Sequence, residues 1–283
     1  MIKEAQLQFL IKNALSEDIG DGDYSTLSTI NANAKGKAIL KIKQDGILAG
    51  IDVAEKIFKY MEPEAVFIAQ KKDGEKMHFG EQAFEVHAKI HTILQCERLV
   101  LNCMQRMSGI ATLTNAYVQR LGSYKTKLLD TRKTTPNFRL LEKEAVHIGG
   151  AVNHRFGLYD MIMLKDNHID YCGGIKNAIE KAYAYVQTNN LALKIEVETR
   201  SLADVTIVMQ TGKVDRIMLD NFAPEQITEA LRIIEGKYET EASGGINYDN
   251  LQNYAVTGVD YISSGAIIHQ AASLDLSLKA VVL

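Results

Sequence analysis

Between Glu97 and Leu121, the residues Leu99, Cys103, Met107, Ile110 and Leu113 recur at spacings of three or four, which predicts one long helix with an apolar stripe. Ahead of it, Met1 to Leu15 reads as an amphipathic helix carrying Lys3, Glu4 and Lys12. Lys37 to Ile42 and Ala83 to Val86 alternate as strands do. Near residue 110 the texture changes to a repeat of short apolar run, polar tip and helical segment. The runs are Lys127 to Arg132, Met161 to Lys165, Leu193 to Glu198, Arg216 to Asp220, the stretch into Glu241 to Gly245, and Tyr261 to Gly265. Pro224 suits a first helical turn, and Gly258 closes a segment that opens near Asn247. Such alternation predicts parallel strands joined by crossover helices. The polar residues gather at the C-terminal tips, where barrels and open doubly wound sheets alike place their ligands. Neither a dinucleotide-binding G-x-G-x-x-G after the first strand nor a P-loop is present. The fold class is therefore α/β, and the preferred arrangement is a barrel of about six βα units.

Composition narrows the function classes. The chain has 283 residues, 46% hydrophobic, enough for one large or two modest domains. No apolar run reaches the ~18 residues of a membrane span, and the charged N-terminus does not read as an export signal, so the expectation is a cytoplasmic protein off the membrane. A formal net charge of -3 argues against general nucleic-acid binding. Cys96, Cys103 and Cys172 form no metal-ligand pair; Cys96 and Cys103, seven apart on a helix, are expected to pack in the core as reduced thiols.

Against this acidic background, Asp130 to His168 concentrates Arg132, Lys133, Arg139, Lys143, His154, Arg155, Lys165 and His168. Arg supplies a bidentate fork for carboxylate or phosphate and Lys a compact charge, so the cluster suits a ligand with several negative charges. Arg139 and Lys143, four apart on the intervening helix, are expected to be surface charges. Glu198 and Asp220 form an acidic pair at strand tips, fit for ribose hydroxyls, a divalent cation or a developing positive charge. Glu196, one pleat further from the tip, reads better as a structural ion pair. Asp220 and Asn221 are also candidates to cap the helix near Pro224. Ser243-Gly244-Gly245, with Ser264-Gly265-Ala266 one unit later, lets backbone N–H groups approach a phosphate at the last two tips.

Asp130-Thr131-Arg132-Lys133-Thr134-Thr135-Pro136, Leu140-Leu141-Glu142-Lys143, Asn153-His154-Arg155, Leu164-Lys165-Asp166-Asn167-His168, Glu196-Val197-Glu198 and Leu219-Asp220-Asn221-Phe222 together resemble the quinolinate phosphoribosyltransferase family. The resemblance spans nearly the whole chain; Asn137 and Ala151 stand where the family pattern suggests glycine. It implies an N-terminal α/β sandwich domain over 1–109, an open α/β barrel over 110–270, and a tail over 271–283 that returns to the first domain. It also implies a homodimer with shared active sites, without deciding between dimer and hexamer. The implied reaction joins quinolinate to phosphoribosyl pyrophosphate and releases pyrophosphate and carbon dioxide, giving nicotinate mononucleotide for NAD biosynthesis.

By the same resemblance, Arg132, His154, Arg155 and Lys165, with Arg98 from the neighbouring copy, hold the carboxylates. Lys133 and His269 meet the pyrophosphate. Glu198 and Asp220 hold the ribose hydroxyls and Mg2+, and Ser243, Gly244, Gly245 and Gly265 the 5′-phosphate. Lys165, Glu198 and Asp220 are the implied catalytic residues, and no organic cofactor is implied. Two rivals remain at this point: a nicotinate-type transferase on the same scaffold, and a catalytically silent barrel that binds a phosphate ligand.

Overall fold

The computed structural model describes residues 4–281, so Lys3 of the first helix and the last two residues of the tail lie outside the described residues. In chain order the first elements are α1 (Glu4–Ile19), α2 (Tyr24–Thr29), β1 (Lys35–Ile42), β2 (Gly46–Ile47), α3 (Ile51–Met61), β3 (Val66–Ala69), β4 (Lys76–Met77), β5 (Gln82–Lys89), α4 (Ile90–Leu121), β6 (Lys127–Leu129), α5 (Arg139–Ile148) and β7 (Ile162–Leu164). There follow α6 (Asp166–Tyr171), α7 (Ile175–Thr188), β8 (Ile195–Thr199), α8 (Leu202–Thr211), β9 (Arg216–Asp220), α9 (Pro224–Ile234), β10 (Glu239–Ser243), α10 (Leu251–Ala255), β11 (Tyr261–Ser263), α11 (Ala266–His269) and β12 (Leu276–Val281).

Two compact units emerge. One holds the residues up to Asn115, Thr134–Gly150 and the chain from Ile267; the other holds Ala116–Lys133 and Ala151–Ala266. In the first unit, Ala38, Leu40 and Ile42 of β1 are buried at every second position, and the sheet runs β12-β1-β5-β3, all antiparallel. Phe58 of α3 packs against Phe84, and Phe84 against Phe67, with ring centroids 6.2 and 4.5 Å apart. Helix α4 starts at Ile90, seven residues before the stripe that predicted it, because β5 runs directly into it. Its Cys96 and Cys103 are fully buried, and burial pushes both thiols up to about 12, as expected of packing rather than reactive cysteines. No helix among the described residues is long and apolar enough to cross a membrane.

The unit boundaries differ from a single cut after residue 109. Helix α4 continues unbroken past it, and contact rather than sequence position assigns Thr134–Gly150. A Cβ on Gly149 would fall 2.6 Å from the Ala111 carbonyl oxygen, so only glycine lets the end of α5 approach α4 this closely. The surface reading of Lys143 fails for the same reason. The face of α5 shared by Leu141, Glu142, Lys143, Ala145 and Val146 is packed, and Lys143 is 2% exposed. Arg139, one turn earlier, is half-buried and donates from Nε to Thr134 Oγ1 at 2.9 Å.

The second unit is a six-stranded sheet in the order β6-β11-β10-β9-β8-β7, parallel throughout. Its first two strands in sequence are the two ends of the sheet, so the six βα units form the open barrel that the pattern of runs predicted. All five residues of β8 are buried, as a parallel strand covered on both faces requires. Several tips are shorter than the apolar runs. Asp130, Thr131 and Arg132 lie beyond β6, and Lys165 beyond β7, which moves their side chains from the sheet into the loops. Pro224 is the first residue of α9, as expected.

Candidate active site

All the following geometry belongs to the second unit unless stated. At the strand tips, Glu198 is the last residue but one of β8 and Asp220 ends β9. Burial raises the Glu198 carboxyl, and the charge of Asp220 raises it further, while Lys165 pulls it down. Burial also raises Asp220, against a hydrogen bond from Asn221 and the charges of Lys165 and Lys133. Two acids and two lysines thus converge within electrostatic reach, and the acids are held nearer protonation than free carboxyls. A divalent cation or a cationic transition state relieves that repulsion. Asp220 and Asn221 do not cap α9. Ala223 is its N-cap, and the Ala223 N–H donates to Gln226 Oε1 at 2.9 Å.

The tips of β9 and β10 interlock. Asn221 adopts φ 57°, donates from N to the Ser243 carbonyl at 2.8 Å, and from Nδ2 to Asp220 Oδ2 at 2.7 Å. Gly244 has φ +100°, and a Cβ there would meet Asn221 Oδ1 at 2.2 Å, whereas one on Gly245 would enter open space. Ser264 anchors the next tip, donating from Oγ to the Ile246 carbonyl at 2.8 Å and from N to Leu129 O at 3.1 Å. Gly244→Ala is expected to destabilise the fold by about 1–3 kcal/mol through strain at that φ. A lower denaturation midpoint reads this, and Gly245→Ala, with room for its Cβ, is expected to lower the midpoint less.

The two arginines of the site lie in the loops before and after α5. Burial lowers the Arg155 guanidinium and the charge of Arg132 lowers it again, against the opposing charges of Glu196 and Asp160, so two half-buried forks lie within electrostatic reach of one another. An anion with two charged ends between them relieves that repulsion. Arg155 is steadied by Nη1 donating to the Met161 carbonyl at 3.2 Å, and the loop after it by Asp160, which accepts from Phe156 N and Gly157 N at 2.6 and 2.9 Å. Lys165 and Lys133 are exposed; Lys165 N donates to His168 Nδ1 at 3.1 Å, which makes His168 part of the α6 cap.

His154 lies deeper than its place in the sequence suggested. Its side chain is 5% exposed, with Nε2 3.0 Å from Glu196 Oε2 and 3.3 Å from Glu241 Oε2. Arg216, in turn, donates from Nη1 to Glu241 Oε2 at 3.1 Å and from Nη2 to Glu239 Oε2 at 3.1 Å. The reading of Glu196 as part of a structural ion network holds. The donor atoms of His154, Glu196 and Glu241 all lie within 4.8 Å of one another, a metal-like spacing. The tautomer speaks against a metal. Arg155 N donates to His154 Nδ1 at 2.7 Å, so Nδ1 is an acceptor and the ring proton sits on Nε2, whose lone pair a metal needs. Burial opposes a charged ring, but Glu196 and Glu241 outweigh it and raise His154 to about 9. Burial and the Glu241 charge raise Glu196 to about 7. Both shifts describe one extra proton held among these groups, and it sits on the Glu196 carboxyl, because a second ring proton would fall on Nδ1 against the Arg155 N–H. Glu241 and Arg216 were not singled out in the sequence; their one signal was a charged residue inside a short parallel strand, where both faces are covered.

In the first unit, Arg98 is exposed on α4 and His269 is exposed at the end of α11. The backbone around His269 is held by Arg106, which donates to the Ile268 carbonyl at 2.8 Å and the Ala271 carbonyl at 2.6 Å. The same guanidinium meets fully buried Glu142 at 3.0 and 2.9 Å, and Glu142 accepts from Thr135 N at 2.8 Å. Neither Arg106 nor the role of Glu142 was legible in the sequence, because nothing local links them.

Comparison with known proteins agrees with this picture. Residues 23–108 match the N-terminal domain, and residues 110–279 the C-terminal domain, of quinolinate phosphoribosyl transferase. The chain is 43% identical to quinolinate phosphoribosyltransferase [decarboxylating] 1b of Nicotiana tabacum, over 96% of this chain and 82% of that one. It is 41% identical to the probable nicotinate-nucleotide pyrophosphorylase [carboxylating] of Bacillus subtilis, over 96% and 93% respectively. The crystal structure of NadC from Streptococcus pyogenes superposes with a TM-score of 0.91 at 42% identity, covering 99% of this chain and 97% of that one. With both domains matched and this identity sustained along its length, the chain belongs to the quinolinate phosphoribosyltransferase family, the decarboxylating pentosyltransferases of NAD biosynthesis.

Proposed function

We propose that the strand tips of the second unit bind quinolinate between Arg132, Arg155 and Lys165, and phosphoribosyl pyrophosphate over Glu198, Asp220 and the glycine turns, for transfer with decarboxylation. The observation that carries this reading is a pair of guanidiniums within electrostatic reach of one another, in the same parallel unit as two strand-tip acids whose carboxyls are raised beside Lys165. One carboxylate would satisfy one fork, so two forks favour the dicarboxylate over nicotinate. His154 supports this pocket from beneath, since both of its nitrogens are engaged. Ser243, Gly244, Gly245 and Gly265 take the 5′-phosphate, and Lys133 and His269 the pyrophosphate. Arg98, exposed on its helix, enters the pocket of a second copy in a homodimer.

The residue types fit the chemistry. The pyridine nitrogen attacks ribose C1 as the bond to pyrophosphate breaks, and positive charge develops on the ribose ring beside Glu198 and Asp220. Lys133 and His269 take the negative charge of the leaving pyrophosphate. The positive charge on the ribosylated nitrogen then stabilises the electron pair left on the adjacent ring carbon when its carboxylate departs as carbon dioxide, and a proton adds to that carbon. Glu198 and Asp220 offer hard carboxylate oxygens whose raised pKa a divalent ion relieves, so this donor pair fits Mg2+. When bound, that ion neutralises charge on the phosphate oxygens. All three cysteines are free, which fits a reducing compartment, the cytoplasm.

The test mixes purified protein with quinolinate, phosphoribosyl pyrophosphate and Mg2+, and follows the pyridine ultraviolet signal and carbon dioxide release. A parallel run substitutes nicotinate. Turnover of quinolinate alone, abolished by a chelator and restored by Mg2+, is expected. Turnover of nicotinate alone overturns the substrate, and no turnover of either from folded protein overturns the activity.

A further inference from the structure

The buried acids under the barrel mouth have no place in the reaction just described. Glu196 is fully buried, and apart from the His154 ring neither of its carboxylate oxygens has a hydrogen-bond partner among the described residues. Such an acid is a poor source of stability. Replacing a whole buried ion pair with apolar groups of similar volume is often neutral or stabilising. Its position explains its presence better than its energy does. Glu196 and Glu241 flank the Nε2–H of His154, which leaves Nδ1 turned toward the next residue, where it accepts the Arg155 N–H at 2.7 Å. On the other side Asp130, also fully buried, accepts the His154 N–H at 2.7 Å. The peptides on either side of the His154 Cα are therefore each held by one hydrogen bond, and the Arg155 side chain leaves from a fixed point. Arg216 keeps Glu241 in place at 3.1 Å, and is itself held over the Tyr261 ring with its guanidinium carbon 4.2 Å from the centroid.

We infer that Glu196, with Glu241, is a positioning residue of the dicarboxylate pocket: through the His154 ring it sets where the Arg155 guanidinium enters. Glu196 touches no substrate and acts on the specificity for the second carboxylate alone. The inference rests on the reading of Arg155 as a quinolinate ligand. It predicts a separation that a plain stability role does not produce.

The experiment is a double-mutant cycle on the full chain, reading kcat/KM for quinolinate at saturating phosphoribosyl pyrophosphate and KM for each substrate. Glu196→Leu, which leaves Glu241 as the carboxylate beside His154, is expected to lower the melting temperature and to lower kcat/KM for quinolinate about tenfold, about 1.4 kcal/mol. KM for phosphoribosyl pyrophosphate is expected to stay within about twofold. In an Arg155→Ala background the same substitution is expected to cost less than about twofold, because the group it positions is gone. A tenfold loss in both backgrounds overturns the inference, as does an equal rise in both KM values, or no loss at all. Should Glu196→Leu fail to fold, His154→Phe, which keeps the ring and removes both nitrogens, is read by the same cycle. Failure of the wild-type protein to turn over quinolinate sinks the functional reading itself; an active wild type with a flat cycle sinks only the positioning role.

Discussion

Arg155→Ala is expected to lower kcat/KM for quinolinate by roughly 30- to 5,000-fold, the equivalent of about 2–5 kcal/mol. The size follows from what the truncation leaves behind. Arg155 is half-buried, and burial and Arg132 disfavour its charge more than Glu196 and Asp160 favour it, so it is set up for an anion. Without it, one carboxylate of the bound dianion faces a partly desolvated pocket with no fork to meet it. Arg155→Lys is expected to recover only part of the loss, because an ammonium restores the charge and not the two parallel hydrogen bonds. Steady-state kinetics with each substrate varied in turn checks this, with phosphoribosyl pyrophosphate KM as the internal control. Equal losses in both substrate terms would mean that Arg155 holds the fold rather than the ligand.

Asp220→Asn and Glu198→Gln are each expected to reduce kcat by about 100- to 1,000-fold, the usual scale for removing one preorganised electrostatic group from a site of developing charge. Both substitutions keep shape and remove charge. In the protein as it stands the two acids raise one another's cost of ionisation, so neutralising one is expected to make the other easier to ionise and to leave folding intact or improved. The midpoint of the magnesium titration is expected to rise in both variants, while quinolinate binding by calorimetry stays near wild type. A kcat within tenfold of wild type, with an unchanged magnesium midpoint, would remove both acids from the chemistry.

Some of the architecture needs no neighbours to be seen. The strands and helices follow from periodicity, because an amphipathic segment has one way to bury its apolar face. The tips follow from polarity, because charged residues at the ends of apolar runs cannot stay inside a covered parallel sheet. That logic located Arg132, Lys165, Glu198 and Asp220 correctly at strand ends. It misjudged Lys143, since spacing along a helix shows which residues share a face and not whether the face is packed. It also placed His154 among the ligand-facing groups, whereas the ring turns inward to two carboxylates that lie 42 and 87 residues further along the chain (196 − 154 and 241 − 154).

The amino-acid sequence by itself determined the α/β class, the six strand tips, the family and the inventory of cations and acids, because these depend on local pattern and residue type. Only the tertiary structure decided which of those groups meet. The interlock of Asn221 with Gly244, the electrostatic coupling of Arg132 to Arg155, the Glu196–His154–Glu241 cluster and the Arg106–Glu142 clamp all join residues far apart in the chain. Their energies depend on burial and on separations of a few ångströms, quantities that exist only once the strands have taken their register.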